Sequence, residues 1–459
     1  MNILITLIVM VVVGFAIIKK VKPQTILVMG GIFLMVLAFL MGYKTSFITG
    51  KMVSTGSPMF DMFGYIKYTL ASDISTIGLS IMCGAGFAKY MDHIGASARL
   101  VKISLHPLQR MNSPYLINAL GFAVCMLMSL TIQSASALSM LTMVTIYPII
   151  TRLGVSKVAA TSAIATGHLL DCGPAAATSQ VVERLSHYGI NKFFVEHQLP
   201  VYFIALVAVT ITHFFWQKYM DKRDGIVAGE EGSIDQDKIK GDVATPPGPW
   251  IYAILPCVPL ALIIIYSEYV YKSIKIDIIV AMLISFAVAM ICEFIRYRDF
   301  KKVSKSIEVF FKGMGNMFAV TVSLIVAAEV FAYGIKSMNF VSDIVGITQT
   351  AGFGLTPITI GMGVLIALVS AVTGSGVAAF VSFASLIPSF VEGFGGNMIV
   401  ILQLLQNVAS LSRLISPVAA VIVIVAGISG VSPVAIVKRN SVPVLVGFIV
   451  STISVLVMF

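Results

Sequence analysis

Small polar and charged residues stand inside otherwise apolar segments of this 459-residue chain, and they are the ones able to do chemistry. Thr131, Gln133, Ser134 and Ser136 cluster in the first half; Thr373, Gly374, Ser375 and Gly376 cluster in the second. His168, Asp171 and Gly173 adjoin an interruption at Pro174, and Arg413 and Ser416 adjoin another at Pro417. A helix that stops inside a membrane leaves backbone N–H and C=O groups unsatisfied, with partial positive charge at N-terminal ends and partial negative charge at C-terminal ends. Hydroxyls, N–H groups and Arg hold carboxylates, whereas Na⁺ prefers carbonyl and hydroxyl oxygens. The two clusters, with Arg413 and Ser416, are therefore the expected substrate-binding residues. The competing reading is that these hydroxyls satisfy helix ends and pack small-on-small between helices.

Arg413 lies in mid-span, where insertion costs about 2.5–3.5 kcal/mol, so it must face a polar cavity with a partner. Anion binding and a structural role, bonding carbonyls or pairing with Asp171, both stand open. Asp171 is a cation ligand, a proton carrier or the partner of Arg413, whose formal repeat mate in the first half is nearby. His168, one turn earlier, is placed to share a proton with it. Asp171, His168 and Gly173 are the expected ion-coupling residues, with Na⁺ or a proton as the coupling ion and no cofactor or metal. Glu329 reads as a helix-packing acid near an outer end and stays outside the site.

The elements that position these residues repeat. Pro174 and Pro417 are 243 residues apart, as are Pro200 and Pro443, and Thr131 and Thr373 are 242 apart. One register held across so long a gap marks a duplicated unit, the sign of a secondary transporter. Hydrophobic residues make up 58% of the chain and charged residues 11%, and the mean hydropathy is +0.96. These values define an all-α polytopic membrane protein. The net charge of +10 comes from Lys and Arg in short loops and forms no aromatic-laced patch for nucleic acid. Cys83, Cys125, Cys172, Cys257 and Cys292 are scattered and imply neither disulfides nor a metal site.

Apolar stretches of spanning length occur near 2–18, 24–42, 73–91, 199–217, 248–266, 276–294, 316–335 and 441–458. Regions 116–150 and 359–390 carry their polar clusters at the middle and read as re-entrant hairpins, while 158–183 and 398–427 read as broken helices. Each half then has three spans, a hairpin, a broken span and a last span. Five crossings is an odd number, so the two repeats are inverted. Residues 1–217 form the first repeat (scaffold about 1–95, transport elements about 116–217), and 248–459 the second (scaffold about 248–335, transport elements about 359–459). Lys218 to Pro247 is the linker, and 299–315 an amphipathic surface helix. Lys19, Lys20, Lys22, Arg99, Lys102, Arg110, Lys218, Lys222, Arg223, Arg296, Arg298, Lys301, Lys302, Lys305, Lys438 and Arg439 then share one side, the cytoplasm, which leaves both termini outside, with the smaller set Lys44, Lys51 and Lys67 in the opposite compartment.

No phosphate loop, HExxH or GxSxG motif is present, so ATP-driven transport and membrane-enzyme readings lack their machinery. The stretches Lys102-Ile-Ser-Leu-His-Pro-Leu-Gln-Arg-Met-Asn-Ser-Pro-Tyr115, Leu127-Met-Ser-Leu130, His213-Phe-Phe-Trp-Gln217, Thr373-Gly-Ser-Gly376, Leu414-Ile-Ser-Pro-Val418 and Val437-Lys-Arg-Asn-Ser-Val-Pro-Val-Leu-Val446 resemble the DcuC family of anaerobic four-carbon dicarboxylate carriers. The resemblance runs over essentially the whole chain. It departs from the family pattern at Val377-Ala-Ala-Phe380 and at Asp171-Cys-Gly-Pro-Ala-Ala-Ala-Thr178. It implies a homodimer of inverted repeats with an elevator movement in a bacterial inner membrane. It also implies fumarate, malate, succinate or aspartate as substrates, by exchange or ion-coupled transport; another carboxylate or an amino acid on the same fold is the alternative.

Overall fold

The computed structural model describes residues 2–19, 21–43, 47–48, 52–104, 113–226, 247–266, 274, 276–340, 343 and 354–459. Among these the regular structure is entirely helical. Eight helical segments are long and apolar enough to cross a membrane, or nine if the bent pair Gly376–Ala384 and Ile387–Phe394 is one span. Large apolar side chains such as Leu4, Phe33, Val207, Ile295 and Leu456 are exposed on their outer faces, as lipid contact requires.

The two halves run through the same succession of elements. In the first, Pro58–Asp73 passes through a π-helical turn, Ile74–Gly78, into the 15-residue helix Leu79–His93. In the second, Phe300–Met317 passes through the π-helical turn Phe318–Val322 into the 15-residue helix Ser323–Ser337. The segment 299–315 thus divides its faces as the amphipathic reading expects, with Val303 and Phe310 buried and Lys301, Lys302 and Lys305 exposed. It is not a separate surface helix, because it continues into the next span. Its Gly313 meets Gly86 so closely that a Cβ there would lie 2.8 Å from the Gly86 Cα.

Both regions with polar middles turn back on themselves. Pro114–Ser129 stops before the first polar cluster, and Ala135–Thr145 with Tyr147–Arg152 returns, bringing Ile150 within 3.7 Å of the Cβ position of Gly121. Leu355–Thr373 stops at the second cluster, and Gly376–Ala384 with Ile387–Phe394 returns, so that Gly396 lies against Leu355. Lys157–Ala165 and Ala177–Ser186 flank the first break; Met398–Ser412 and Ala420–Ser429 flank the second.

The last helix of the first half runs from Leu199 to Asp224, past the boundary at 217 drawn from hydropathy. Its charged end belongs to the folded structure because Arg439 pairs with Asp221 at 2.6 Å and with Asp224 at 3.0 Å. Linker residues 227–246 lie outside the described residues, as do Lys20, Lys44, Lys51 and Arg110 of the charge pattern. The final helix, Pro433–Met458, passes through Pro443 without a break.

Candidate functional site

A cavity of about 1010 Å³ lies where the two tips and the two breaks meet the third spans. Four helices begin on its wall: Ala135–Thr145, Gly376–Ala384, Ala177–Ser186 and Ala420–Ser429. At the tips, serine hydroxyls cap these starts. Ser134 Oγ accepts from the Ala137 N–H at 3.3 Å, and Ser375 Oγ accepts from the Ala378 N–H at 3.2 Å. At the breaks, the cap positions are Ala176 and Ala419, which have no side-chain oxygen to offer. The first N–H groups of both helices after the breaks are therefore without a side-chain cap, and the residues at these starts, Ala177 and Ala420, line the cavity. Convergent helix N-termini carry partial positive charge, and such ends bind anions.

Arg413 joins them on the wall while remaining 93% buried (7% exposed). Its Nη2 donates to Asp171 Oδ1 at 2.7 Å and to the His168 carbonyl at 3.0 Å, and His168 Nδ1 lies 3.1 Å from the same nitrogen and 3.4 Å from Asp171 Oδ1. Nε of Arg413 is buried without a partner, and Nη1 makes no hydrogen bond among the described residues. Asp171 and His168 thus orient the guanidinium and leave part of its donor set open. Of the roles left open for Asp171, this geometry favours the ion-pair partner.

Gln133 Nε2 donates to three carbonyls at the first tip and break: Ser129 at 3.0 Å, Leu130 at 2.9 Å and Cys172 at 3.2 Å. It satisfies helix-end acceptors that would otherwise be orphaned in a medium without water. Gly173, at φ +127°, lets this amide approach; a Cβ there would lie 2.7 Å from Nε2.

The expected site residues divide by position. Gln133, Ser134, Ser136, Asp171, Thr373, Gly374, Ser375, Gly376 and Arg413 all border the cavity. Thr131 borders a smaller neighbouring cavity beside Pro174, and its hydroxyl donates to the Met128 carbonyl at 3.0 Å. Thr373 bonds its own helix in the same way, donating to the Val369 carbonyl at 2.7 Å. Ser416 is fully buried, with its hydroxyl unpartnered and off the cavity wall. His168 and Gly173 stand behind the wall.

Several residues escaped the sequence reading. Gln406 Nε2 donates to the Asp171 carbonyl at 2.9 Å and to Thr178 Oγ1 at 3.0 Å, and Gln198 Oε1 accepts from the Gly173 N–H at 3.1 Å. These two glutamines tie the first break to the second half. The signal was there, since Gln403, Gln406 and Asn407 recur at helical spacing within an apolar run. The facing wall adds Lys22, Gln24, Lys89, Asp92 and Asn316.

Glycine is required at the second tip for a steric reason. Gly374 has φ +73°, and a Cβ on it would lie 2.6 Å from the Ala419 Cα; one on Gly376 would lie 2.5 Å from the Ala409 carbonyl oxygen. Gly374→Ala is expected to destabilise the protein by about 2–4 kcal/mol, from overpacking plus a left-handed backbone. Gly427→Ala, whose Cβ would meet nothing within 4 Å, is the control. Thermal unfolding in detergent reads the difference, and equal melting temperatures would refute the packing argument.

Helical segments long and apolar enough to cross a membrane, gathered around a cavity, make a polytopic membrane fold, and solved structures share it. Neisseria gonorrhoeae MtrF, from work on a class of antimetabolite efflux pumps, has a TM-score of 0.65 at 13% identity, covering 94% of this chain and 95% of that one. The Alcanivorax borkumensis YdaH transporter has a TM-score of 0.64 at 14% identity, covering 95% and 98%. At these identities the likeness concerns the fold alone.

Sequence comparison then places the chain. It belongs to the DcuC family, C4-dicarboxylate anaerobic carriers, whose model matches residues 1–459. The anaerobic C4-dicarboxylate transporter DcuC of Escherichia coli O6:H1 is 34% identical over 444 residues, covering 96% of this chain and 94% of that protein. A probable anaerobic C4-dicarboxylate transporter DcuC of Vibrio cholerae is 32% identical over 459 residues, covering 100% and 98%. The chain is a multi-pass membrane transporter and not an enzyme.

Proposed function

We propose that this chain carries four-carbon dicarboxylates such as fumarate, malate and succinate, or aspartate, across a bacterial inner membrane. The observation that carries the reading is the convergence of the uncapped helix starts after Ala176 and Ala419 with the partly open donor set of Arg413 in one cavity. Separate positive ends suit a ligand with a carboxylate at each end. The serine-capped tips add hydroxyls, and Ser136 also lines the cavity.

The halves act as inverted repeats, supported by the odd crossing count and the matched succession of elements. Hairpins and broken helices move together as the elevator against a scaffold of the first three spans of each half, in a homodimer. Exposed Lys22 and Lys89 on the cavity wall lie on the side assigned to the cytoplasm, so this conformation opens inward and the termini lie outside. They also draw a dianion toward the cavity. Transport proceeds by exchange or by coupling to an ion.

The test is counterflow of labelled succinate, fumarate, malate and aspartate into proteoliposomes, with Na⁺ and pH varied independently. Saturable counterflow of at least one of them is expected. Counterflow of only an unrelated carboxylate or amino acid would shift the substrate class, and channel-like conductance in electrical recording would overturn the carrier reading.

A further inference from the structure

A further ionic cluster, with Asp73 fully buried and Arg184 and Glu329 half-buried, lies away from the cavity and takes no part in the site described above. Arg184 forks onto Glu329, Nη1 to Oε1 at 2.6 Å and Nη2 to Oε2 at 2.9 Å, and Nη1 also pairs with Asp73 Oδ1. Asp73 is fully buried, and its other oxygen, Oδ2, has no hydrogen-bond partner. Arg184 is on the helix that follows the first break, which begins at the cavity with Ala177 and reaches Arg184 two turns later. Asp73 and Glu329 belong to the third spans of the first and second halves. One cation from the expected moving unit thus holds two carboxylates from the expected scaffold.

The charge does not balance. Two carboxylates against one guanidinium leave one negative charge in a setting where lone buried charge is costly. Two carboxylates in one site do not both stay ionised without compensation. Among the described residues, the other titratable neighbours of the pair are the phenols Tyr65 and Tyr333, which stack on each other at 4.0 Å, while Glu183 and His187 lie near Arg184 on and beside its own helix.

We propose that Asp73, Arg184 and Glu329 form the proton-binding site that couples transport to protons. One proton, on a carboxylate oxygen such as Asp73 Oδ2, neutralises the triad while Arg184 is docked. Undocking Arg184 leaves two facing carboxylates that need a second proton, so the movement takes up one proton from water. None of the three residues lines the cavity, and the triad lies past its Ile81 and Ala177 wall. The Arg184 helix enters the wall at Ala177, and the helix after Asp73 contributes Ile81, Gly84 and Lys89 as it runs the other way. The latch therefore holds shut the side opposite the opening, and protonation releases it. This inference rests on the carrier reading above.

The experiment uses the full chain in liposomes loaded with a pH-sensitive dye, with labelled succinate as the probe. Net succinate movement by the unsubstituted protein is expected to carry protons, and a pH gradient of about one unit to drive about 10-fold accumulation. Asp73→Asn and Glu329→Gln should still show counterflow at equal pH, with the accumulation ratio falling to about 1. Succinate movement without proton flux, or variants that keep the full gradient response, would overturn the proposal. Should either variant not reach the bilayer, Glu329→Asp takes its place. It keeps the carboxylate but shortens its reach, so it must displace the pH midpoint of counterflow; an unmoved midpoint also overturns the proposal. If the unsubstituted protein shows no counterflow of any four-carbon dicarboxylate, the substrate reading fails instead, and dye response with the substrate then found tests the triad.

Discussion

Arg413→Lys is expected to reach the membrane at normal levels and to lose dicarboxylate affinity by about 10-fold or more, the scale of a charge-assisted hydrogen bond worth about 1.5–3 kcal/mol. The structure shows why charge alone is not enough. The Arg413 guanidinium spends one nitrogen on Asp171 and His168 and, among the described residues, keeps Nη1 and Nε without hydrogen-bond partners. An ammonium has a single nitrogen, so it can keep Asp171 company or reach a ligand, but it has no planar fork for both. Arg413→Ala is a different experiment. It leaves Asp171, 7% exposed, as an unpaired buried carboxylate, which costs about 3–5 kcal/mol, so its main damage should be lost protein. Pairing it with Asp171→Asn should recover protein without recovering transport. Counterflow KM and membrane level, measured together, separate these outcomes. Unchanged affinity in correctly inserted Arg413→Lys protein would remove Arg413 from the site.

The other large effect is expected at a residue with no functional group. Ala176 occupies the cap position of the helix after the first break. Ala176→Asp would supply the missing cap, adding about 1 kcal/mol of stability by itself. The same carboxylate would occupy the N–H groups assigned to substrate and place a negative charge on the cavity wall. Succinate KM should rise by about 10–100-fold, since a competing anion in a poorly hydrated site costs about 1.4 kcal/mol per factor of ten. Ala176→Ser, which caps without charge, should raise KM by less. A purely structural helix start would show the stability gain and no change in KM. That result would transfer the anion site to Arg413 and the tips alone.

Local sequence determined much of this protein. Apolar runs dictate that helices form and lie in lipid, and polar clusters with Gly and Pro dictate where those helices stop, because both effects act over one or two turns of chain. The repeated spacing of Thr131, Pro174 and Pro200 with Thr373, Pro417 and Pro443 made the two tips and two breaks legible, and the isolated mid-span Arg413 announced that a partner was needed. Tertiary structure decided which partner. Asp171 and His168 reach Arg413 from the opposite half, and Ser416, three residues from Arg413, turns away from the cavity because a broken segment has no helical period to predict its facing. Ala176 and Ala419 were invisible for a related reason: an alanine matters there only because the helix start it leaves uncapped borders a space walled by other elements. Asp73, Arg184 and Glu329 lie on three separate helices, and nothing local in the chain marks them as one group. Periodicity reports what one element does against a uniform surrounding. Which groups meet across elements depends on packing that brings distant residues together, and only the folded chain contains it.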